Sequence, residues 1–205
     1  MLFKNKLGAA SLSDGKEALK MRKYVIIGNG AAGATAAETI RKSDPHGVVI
    51  IVTDEEYPFY RREHIHHLIS GEETEESLLE KGVDFHRKIG AELVNDQVIR
   101  VSSDENRLFL KRGSPIDYDV LLIASGGTPA LPPWPNIQLE GISTLHTLDE
   151  AKKVSQWVRE ARTAVIVGAG TIAMKVAPQL RKMGLRVVLV EISDRLWPTM
   201  FDRRA

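Results

Sequence analysis

The sequence predicts an α/β chain made of two copies of one strand–turn–helix–strand unit. Two observations carry this. Tyr24-Val-Ile-Ile-Gly28-Asn-Gly30-Ala-Ala-Gly33 reappears as Ala164-Val-Ile-Val-Gly168-Ala-Gly170-Thr-Ile-Ala173. Each copy then passes through a helical stretch into a second β-rich run closed by an acid, Asp54 in the first and Glu191 in the second. The spacing is 26 residues from Gly28 to Asp54 and 23 from Gly168 to Glu191, the first helix–strand connection being longer. Apolar runs such as Val48–Val52 and Val120–Ala124 suit strands buried in a parallel sheet, with helices layered against it.

Composition narrows the function classes. The chain has 205 residues, 43% of them apolar and 27% charged, which is ordinary globular usage. Lys and Arg total 28 against 27 Asp and Glu, so charge makes no case for nucleic acid. There is no cysteine, which removes disulfides, thiolate metal sites and any thiol nucleophile from this chain. The start, Met1–Gly8, lacks the apolar core of a signal peptide. No apolar run approaches the roughly 20 residues of a membrane span, so a soluble, cytoplasmic protein is expected.

In order along the chain, residues 1–23 read as a tail with six basic residues, solvated or forming a short helix. A helix is expected over Ala31–Ile40. Tyr57–Gly71 starts as a loop and turns helical, and the five glutamates of Glu72–Glu80 mark a surface turn and helix start. Glu92–Val101 and Asn106–Lys111 alternate as strands, with a turn at Arg112–Pro115. Asp117–Gly127 reads as a buried strand ending in glycines, followed by a proline-rich link at Pro129–Pro135. A helix over Thr147–Ala161 carries Asp149 and Glu150 in its first turn, where they complement the helix dipole. In the helix of the second copy, Pro178 predicts a bend or a later start. The domains expected are a tail (1–23), a first nucleotide-binding domain (24–145) and part of a second (146–205).

The glycines point to a nucleotide pyrophosphate. Such a group needs backbone N–H donors with no side chain in the way, at a helix N-terminus. Gly28 makes the tight turn, Gly30 lets the phosphates approach, and Gly33 lets the helix pack on the strand. Asp54 would accept the ribose hydroxyls, with Glu55 a competing candidate one residue later. In the second copy Gly168 and Gly170 are kept and Ala173 replaces the third glycine. Glu191 favours a free 2′-hydroxyl and disfavours a 2′-phosphate, hence NADH over NADPH.

Four of the six histidines, His64, His66, His67 and His86, raise the question of a metal. His64 and His67 could share a helix face. No third ligand stands at motif spacing, so no metal is expected, and surface or cofactor-facing roles fit better.

Taken together, four ordered motifs resemble the FAD-dependent pyridine nucleotide–disulfide oxidoreductase superfamily, in the branch of NADH oxidases, rubredoxin and ferredoxin reductases and the FAD domain of nitrite reductase large subunits. They are Gly28–Gly33 with Asp54, Tyr57-Pro-Phe-Tyr-Arg-Arg62, Tyr118–Pro129, and Gly168-Ala-Gly170 with Glu191. The resemblance implies two Rossmann-like units, an FAD domain plus the first half of an NADH domain, with FAD and NADH as cofactors. It implies FAD contacts at Gly28, Gly30, Ala32, Gly33, Asp54 or Glu55, Arg62, Val98, Ala124, Ser125 and Gly126, and NADH contacts at Gly168, Gly170 and Glu191. It implies electron flow from NADH through flavin to an acceptor protein, oxygen or another subunit. Two positions depart from the family pattern: His67 stands where a lysine is frequent beside the flavin, and Lys175 where a glutamate faces the nicotinamide. Members also continue through a returning FAD-domain strand that has no counterpart here. The chain is therefore expected to be incomplete as a catalyst, to leave an apolar sheet edge or face, and to associate with itself or a partner subunit. A non-catalytic nucleotide-binding subunit is the alternative reading.

Overall fold

The computed structural model describes residues 2–4 and 21–197. Most of the expected tail, residues 5–20, and the basic C-terminal end lie outside the described residues. In chain order the strands and helices begin with β1 (Leu2–Lys4), β2 (Lys23–Ile27), α1 (Ala31–Ser43), β3 (Val48–Thr53), α2 (His67–Ser70) and α3 (Glu75–Leu78). They continue with α4 (Phe85–Lys88), β4 (Ala91–Asn95), β5 (Val98–Ser102), β6 (Arg107–Leu110), β7 (Ile116–Asp117) and β8 (Val120–Ile123). The last are α5 (Leu148–Trp157), β9 (Thr163–Val167), α6 (Thr171–Lys182) and β10 (Arg186–Val190). These elements form two compact units. One is residues 1–60 with 79–127, the other residues 61–78 with 128–205. The division interleaves the chain, so residues 61–78, read above as part of the first domain, group with the second unit.

The first unit has three layers. Its main sheet runs in the order β1-β8-β2-β3-β4, with β8, β2, β3 and β4 parallel and β1 antiparallel to β8. The two-residue period of a strand sorts its side chains between two cores. Ile26, Val49 and Ile51 face α1 and pack with Ala37 and Ala91. Val25, Ile50, Val52 and Leu121 face the other way and meet Leu108 and Leu110 of the antiparallel β5-β6-β7 meander and Tyr118, which follows β7. The apolar runs of β2 and β3 are thus explained by burial on both sides. The outer edge of β8 is paired with Leu2–Lys4. An apolar cavity of ≈ 680 Å³ remains beside α1, lined by Tyr24, Ala32, Ala36, Ile40, Val120 and Leu122.

The second unit repeats the βαβ plan on a two-stranded parallel sheet, β9-β10. Leu180, Leu185, Ile166 and Val187 pack there with Ile69 of α2 and Val154 and Val158 around the end of α5. The opposite face of β9 leaves Val165 and Val167 61% and 57% exposed. Thr147 starts α5 with a full capping box: its Oγ1 accepts from the Glu150 N–H at 3.2 Å, and Glu150 accepts from the Thr147 N–H at 3.0 Å. Helix α6 starts at Thr171 despite Pro178 within it, so the later start is not what the chain does.

The fold is most sensitive at the first glycine turn. A Cβ on Gly33 would lie 2.0 Å from the Gly28 carbonyl oxygen, inside any allowed contact with backbone that has no room to give. Gly33→Ala should therefore cost at least about 1–3 kcal/mol in urea unfolding. Gly127→Ala, with nothing described within 4 Å of its new methyl, should change stability by less than about 0.5 kcal/mol. Equal stability of the two variants would refute this account of the turn.

Candidate functional site

The first glycine turn lies where β2 feeds α1. Gly28 has φ +106, a backbone that glycine alone adopts without strain, and its N–H donates to the Val52 carbonyl at 2.8 Å. A Cβ on Gly28 would stand 2.2 Å from the Ala124 carbonyl oxygen. The structure thereby brings the Ala124–Gly126 segment, 96 residues on in sequence (124 − 28), against the turn. Gly30 precedes α1 in extended conformation, and among the described residues nothing lies within 4 Å of where its Cβ would be. The N–H groups of Ala31, Ala32 and Gly33 open the helix with no acceptor one turn earlier within it. These are the features a pyrophosphate needs: an open backbone surface, N–H donors at a helix start and the positive end of a helix.

Two acids compete to close this copy, and their surroundings differ. The Glu55 carboxylate accepts the Tyr60 hydroxyl at 2.6 Å, whereas Asp54, directly after β3, is exposed. Val98 opens β5, partly buried against the Val25–Leu121 core. Arg62 belongs to the second unit, in a single 3₁₀ turn (Arg62–His64), and its Nη1 donates to the His146 carbonyl at 2.6 Å.

Sequence spacing missed the residue that steadies this turn. Asn29, between the two glycines, donates through Nδ2 to the Tyr57 carbonyl at 3.2 Å, and its Oδ1 accepts from His86 Nε2 at 2.7 Å. His86 is 6% exposed, and burial holds its imidazole pKa below the ordinary value, favouring the neutral ring. The link spans 57 residues, so no local motif could have announced it.

The second copy reproduces the backbone of the first. Gly168 has φ +90, and its N–H donates to Val190 O at 2.8 Å, as Gly28 does to Val52. Gly170 precedes α6 with φ −83 and ψ −171, against −79 and −171 at Gly30. The closing acid behaves differently. Glu191 accepts from the Ala169 N–H at 2.7 Å and from the Ser193 N–H at 2.9 Å. The Ser193 and Ala169 amides together hold its carboxyl below the usual carboxylate range.

Beside the first turns of α6 is a cavity of ≈ 370 Å³ lined by Arg62, His66, His146, Thr171, Ile172 and Lys175. Lys175 also reaches the Glu63 carbonyl at 3.4 Å. His66 is 9% exposed and its pKa is pushed down to about 4, mainly by burial, with His67, Lys175 and His64 adding to the effect. It is neutral at pH 7. His67, expected beside a flavin, does not line this cavity. Its Nδ1 lies 2.7 Å from Glu72 and 3.4 Å from Gln179 Nε2. His64 faces Glu73 at 2.7 Å, and Glu73 stands within reach of both His64 and His67, a third donor that motif spacing did not supply.

A family model for pyridine nucleotide-disulphide oxidoreductases matches residues 22–205. The chain belongs to that family. Over 189 residues it is 32% identical to the epsilon subunit of NADH-dependent phenylglyoxylate dehydrogenase from Aromatoleum evansii, covering 92% of this chain and 45% of the relative. It is 33% identical over 173 residues to rhodocoxin reductase from Rhodococcus erythropolis, covering 83% and 40%. Among solved structures, a NAD-dependent persulfide reductase from A. fulgidus superposes with a TM-score of 0.84 at 30% identity, covering 88% of this chain and 36% of that one. The chain thus spans less than half the length of these family members. Among the described residues no helix is long and apolar enough to cross a membrane.

The buried histidines give the folded chain a pH signature. His66 titrates near 6.5 when unfolded and near 4 when folded, so between those values the unfolded chain binds more protons. Its contribution to stability is complete above about pH 6.5 and is lost as pH falls toward 4, with a slope of at most about 1.4 kcal/mol per pH unit. His86 acts in the same direction. Urea unfolding at pH 7.5 and 5 should show this loss, and His66→Gln should flatten it. A variant with the parental slope would remove His66 from the account.

Proposed function

We propose that this chain is the nucleotide-binding part of an NADH-dependent flavoprotein reductase, with FAD on the first unit and NADH on the second. The observation that carries the reading is the paired glycine turn, repeated with matching backbone angles and followed in each copy by an acid after the next strand. Only an open backbone above a helix N-terminus makes that repetition useful, and Gly30 and Gly170 both leave it open among the described residues. The names of the relatives, an NADH-dependent dehydrogenase subunit and a rhodocoxin reductase, support electron transfer from a reduced nicotinamide to a protein acceptor or companion subunit.

In this reading the Gly28–Gly33 turn, Ala32 and the Ala124–Gly126 segment hold the FAD pyrophosphate and Asp54 the adenosine ribose. Glu55 is committed to Tyr60. The bound flavin supplies two-electron acceptance and stepwise electron release. His86, through Asn29, keeps the phosphate-facing turn in place. On the second unit Gly168 and Gly170 face the NADH pyrophosphate. Glu191 exchanges its backbone amides for ribose hydroxyls and repels a 2′-phosphate. The Lys175–His66–Arg62 cavity takes the polar end of the nicotinamide. Lys175 supplies a positive charge there, and His66, neutral, offers a hydrogen bond without a second charge. Because the chain has no cysteine, its electrons leave by a route other than a disulfide of its own.

A nucleotide-binding subunit without turnover is the second reading, favoured by the hold of the Ala169 amide on Glu191. An absorption spectrum decides between them. A chain that is yellow after reconstitution with FAD and bleaches, however slowly for a part of its longer relatives, on anaerobic addition of NADH supports the first reading. A yellow protein inert to NADH supports the second reading, and failure to hold flavin at all defeats both.

Two variants test the parts separately. Gly30→Val should place a branched side chain where the pyrophosphate rests and weaken FAD binding at least about tenfold, equivalent to ~1.4 kcal/mol. Undiminished flavin affinity would dismiss the first site. Glu191→Arg should lower or reverse the NADH-over-NADPH ratio of kcat/KM, or of binding affinity where turnover is absent. An unaltered ratio would take Glu191 out of that role.

A further inference from the structure

The segment that joins the 3₁₀ turn to α3 gathers metal-ligating side chains that the nucleotide-binding reading does not use. His64 closes the 3₁₀ turn and His67 opens α2. Gly71 then ends α2 in the left-handed conformation at φ +73, and the Glu72 N–H returns to the His67 carbonyl at 3.1 Å. This reversal lays Glu73 back across the two imidazoles. One ring nitrogen of His64, one of His67 and one carboxylate oxygen of Glu73 all lie within 4.8 Å of one another. Around a zinc-sized ion with bonds of about 2.1 Å, ligand atoms stand about 3.4 Å apart at tetrahedral angles. Small side-chain rotations close that difference.

We propose that His64, His67 and Glu73 form a binding site for a first-row divalent transition-metal ion of the zinc class, completed by water. Two imidazole nitrogens and one carboxylate are the donor set such ions prefer, and one that magnesium or calcium, which take all-oxygen shells, does not. The outer contacts are already in place. The other Glu73 oxygen accepts from Arg61 Nη2 at 2.9 Å and from Ser77 Oγ at 3.2 Å. Beside His67, the Glu72 carboxylate stands at 2.7 Å and is itself paired with Lys182. Such contacts fix ligand orientation before the ion arrives. The three side chains are 35%, 28% and 18% exposed, open enough for the ion and its waters to enter. Because Arg61 and Lys182 offset the two carboxylates, the site is charge-balanced before it binds. Its affinity should therefore be moderate and sensitive to the loss of any one ligand.

The proposal stands apart from the flavin and NADH assignments and is tested without turnover. The full chain, stripped with a chelator, is dialysed against Co²⁺ and Zn²⁺, and bound metal is counted. Co²⁺ is also followed by electron paramagnetic resonance, which flavin absorption does not obscure. We expect one equivalent of Co²⁺, displaced by Zn²⁺ and not by Mg²⁺, with imidazole-type ligation. Glu73→Gln and His64→Gln should each weaken binding at least about tenfold. Glu75→Gln, a nearby glutamate paired with Lys152 and outside the cluster, should bind as the parent does. Circular dichroism melting confirms that each variant is folded, and His67→Gln replaces any that is not. No stoichiometric binding, or binding that survives all of the ligand substitutions, would overturn the site.

Discussion

Backbone-on-backbone contact at Gly28 governs the first unit. The Ala124 carbonyl and the Gly28 carbonyl occupy the space where Cβ atoms of residues 28 and 33 would be, at 2.2 and 2.0 Å. This closeness seats α1 on β2 and β3, sets the start of the helix at the carboxyl ends of parallel strands, and lays the end of β8 alongside. Everything that makes the site fit for an anion follows from it. The turn can be this tight only because it carries no side chains, and the same lack of side chains leaves its open side available to phosphates.

The second unit shows which parts of that arrangement are dispensable. Gly168 keeps a positive φ, so its glycine is demanded by conformation, yet no described atom lies within 4 Å of its missing Cβ. Ala173 is buried in place of the third glycine, its methyl accommodated within the helix–strand packing. The sheet has two strands, with one face of β9 in solvent. What the second unit keeps is the hydrogen bond from the glycine to the neighbouring strand and the extended residue before the helix. What it adds is an acid folded back onto its own turn, at Ala169. In the first unit the corresponding inner position is Asn29, anchored by His86 and the Tyr57 carbonyl. Two copies with matching backbones thus hold their turns by different side-chain chemistry.

Residues 61–78 concentrate the electrostatics of the second unit. Within a few turns of chain, burial keeps His66 neutral, Glu72 and Glu73 are held ionised by their partners, and Arg61 and Lys182 neutralise them in turn. The segment is short on regular structure, with one 3₁₀ turn and two helices of four residues. Its shape is kept instead by side-chain contacts with neighbouring elements: Arg62 donates outward to the His146 carbonyl, while Lys152 and Ser155 of α5 donate inward to Glu75 and to the Leu68 carbonyl. Polar contacts of this kind specify one arrangement where helical propensity alone would not.

The sequence by itself determined the repeated strand–turn–helix–strand plan, the parallel core strands and the family. Those properties reside in relations between residues a few positions apart: an unbroken apolar run in β3, glycines where φ turns positive, an acid at each strand end. The start of α5, with Asp149 and Glu150 in its first turn, belongs to the same class, whereas its capping box between Thr147 and Glu150 came only with the structure. Tertiary structure decided the rest. Leu2–Lys4 pairs with β8 because an edge strand offers unpaired N–H and C=O groups to any segment that reaches it, a matter of position rather than pattern. His86 meets Asn29 across 57 residues, and residues 61–78 join the later unit through packing. Glu73 meets His64 and His67 because Gly71 reverses the chain. Motif spacing counts residues along a regular element, and here the donors come together only where the chain leaves that element.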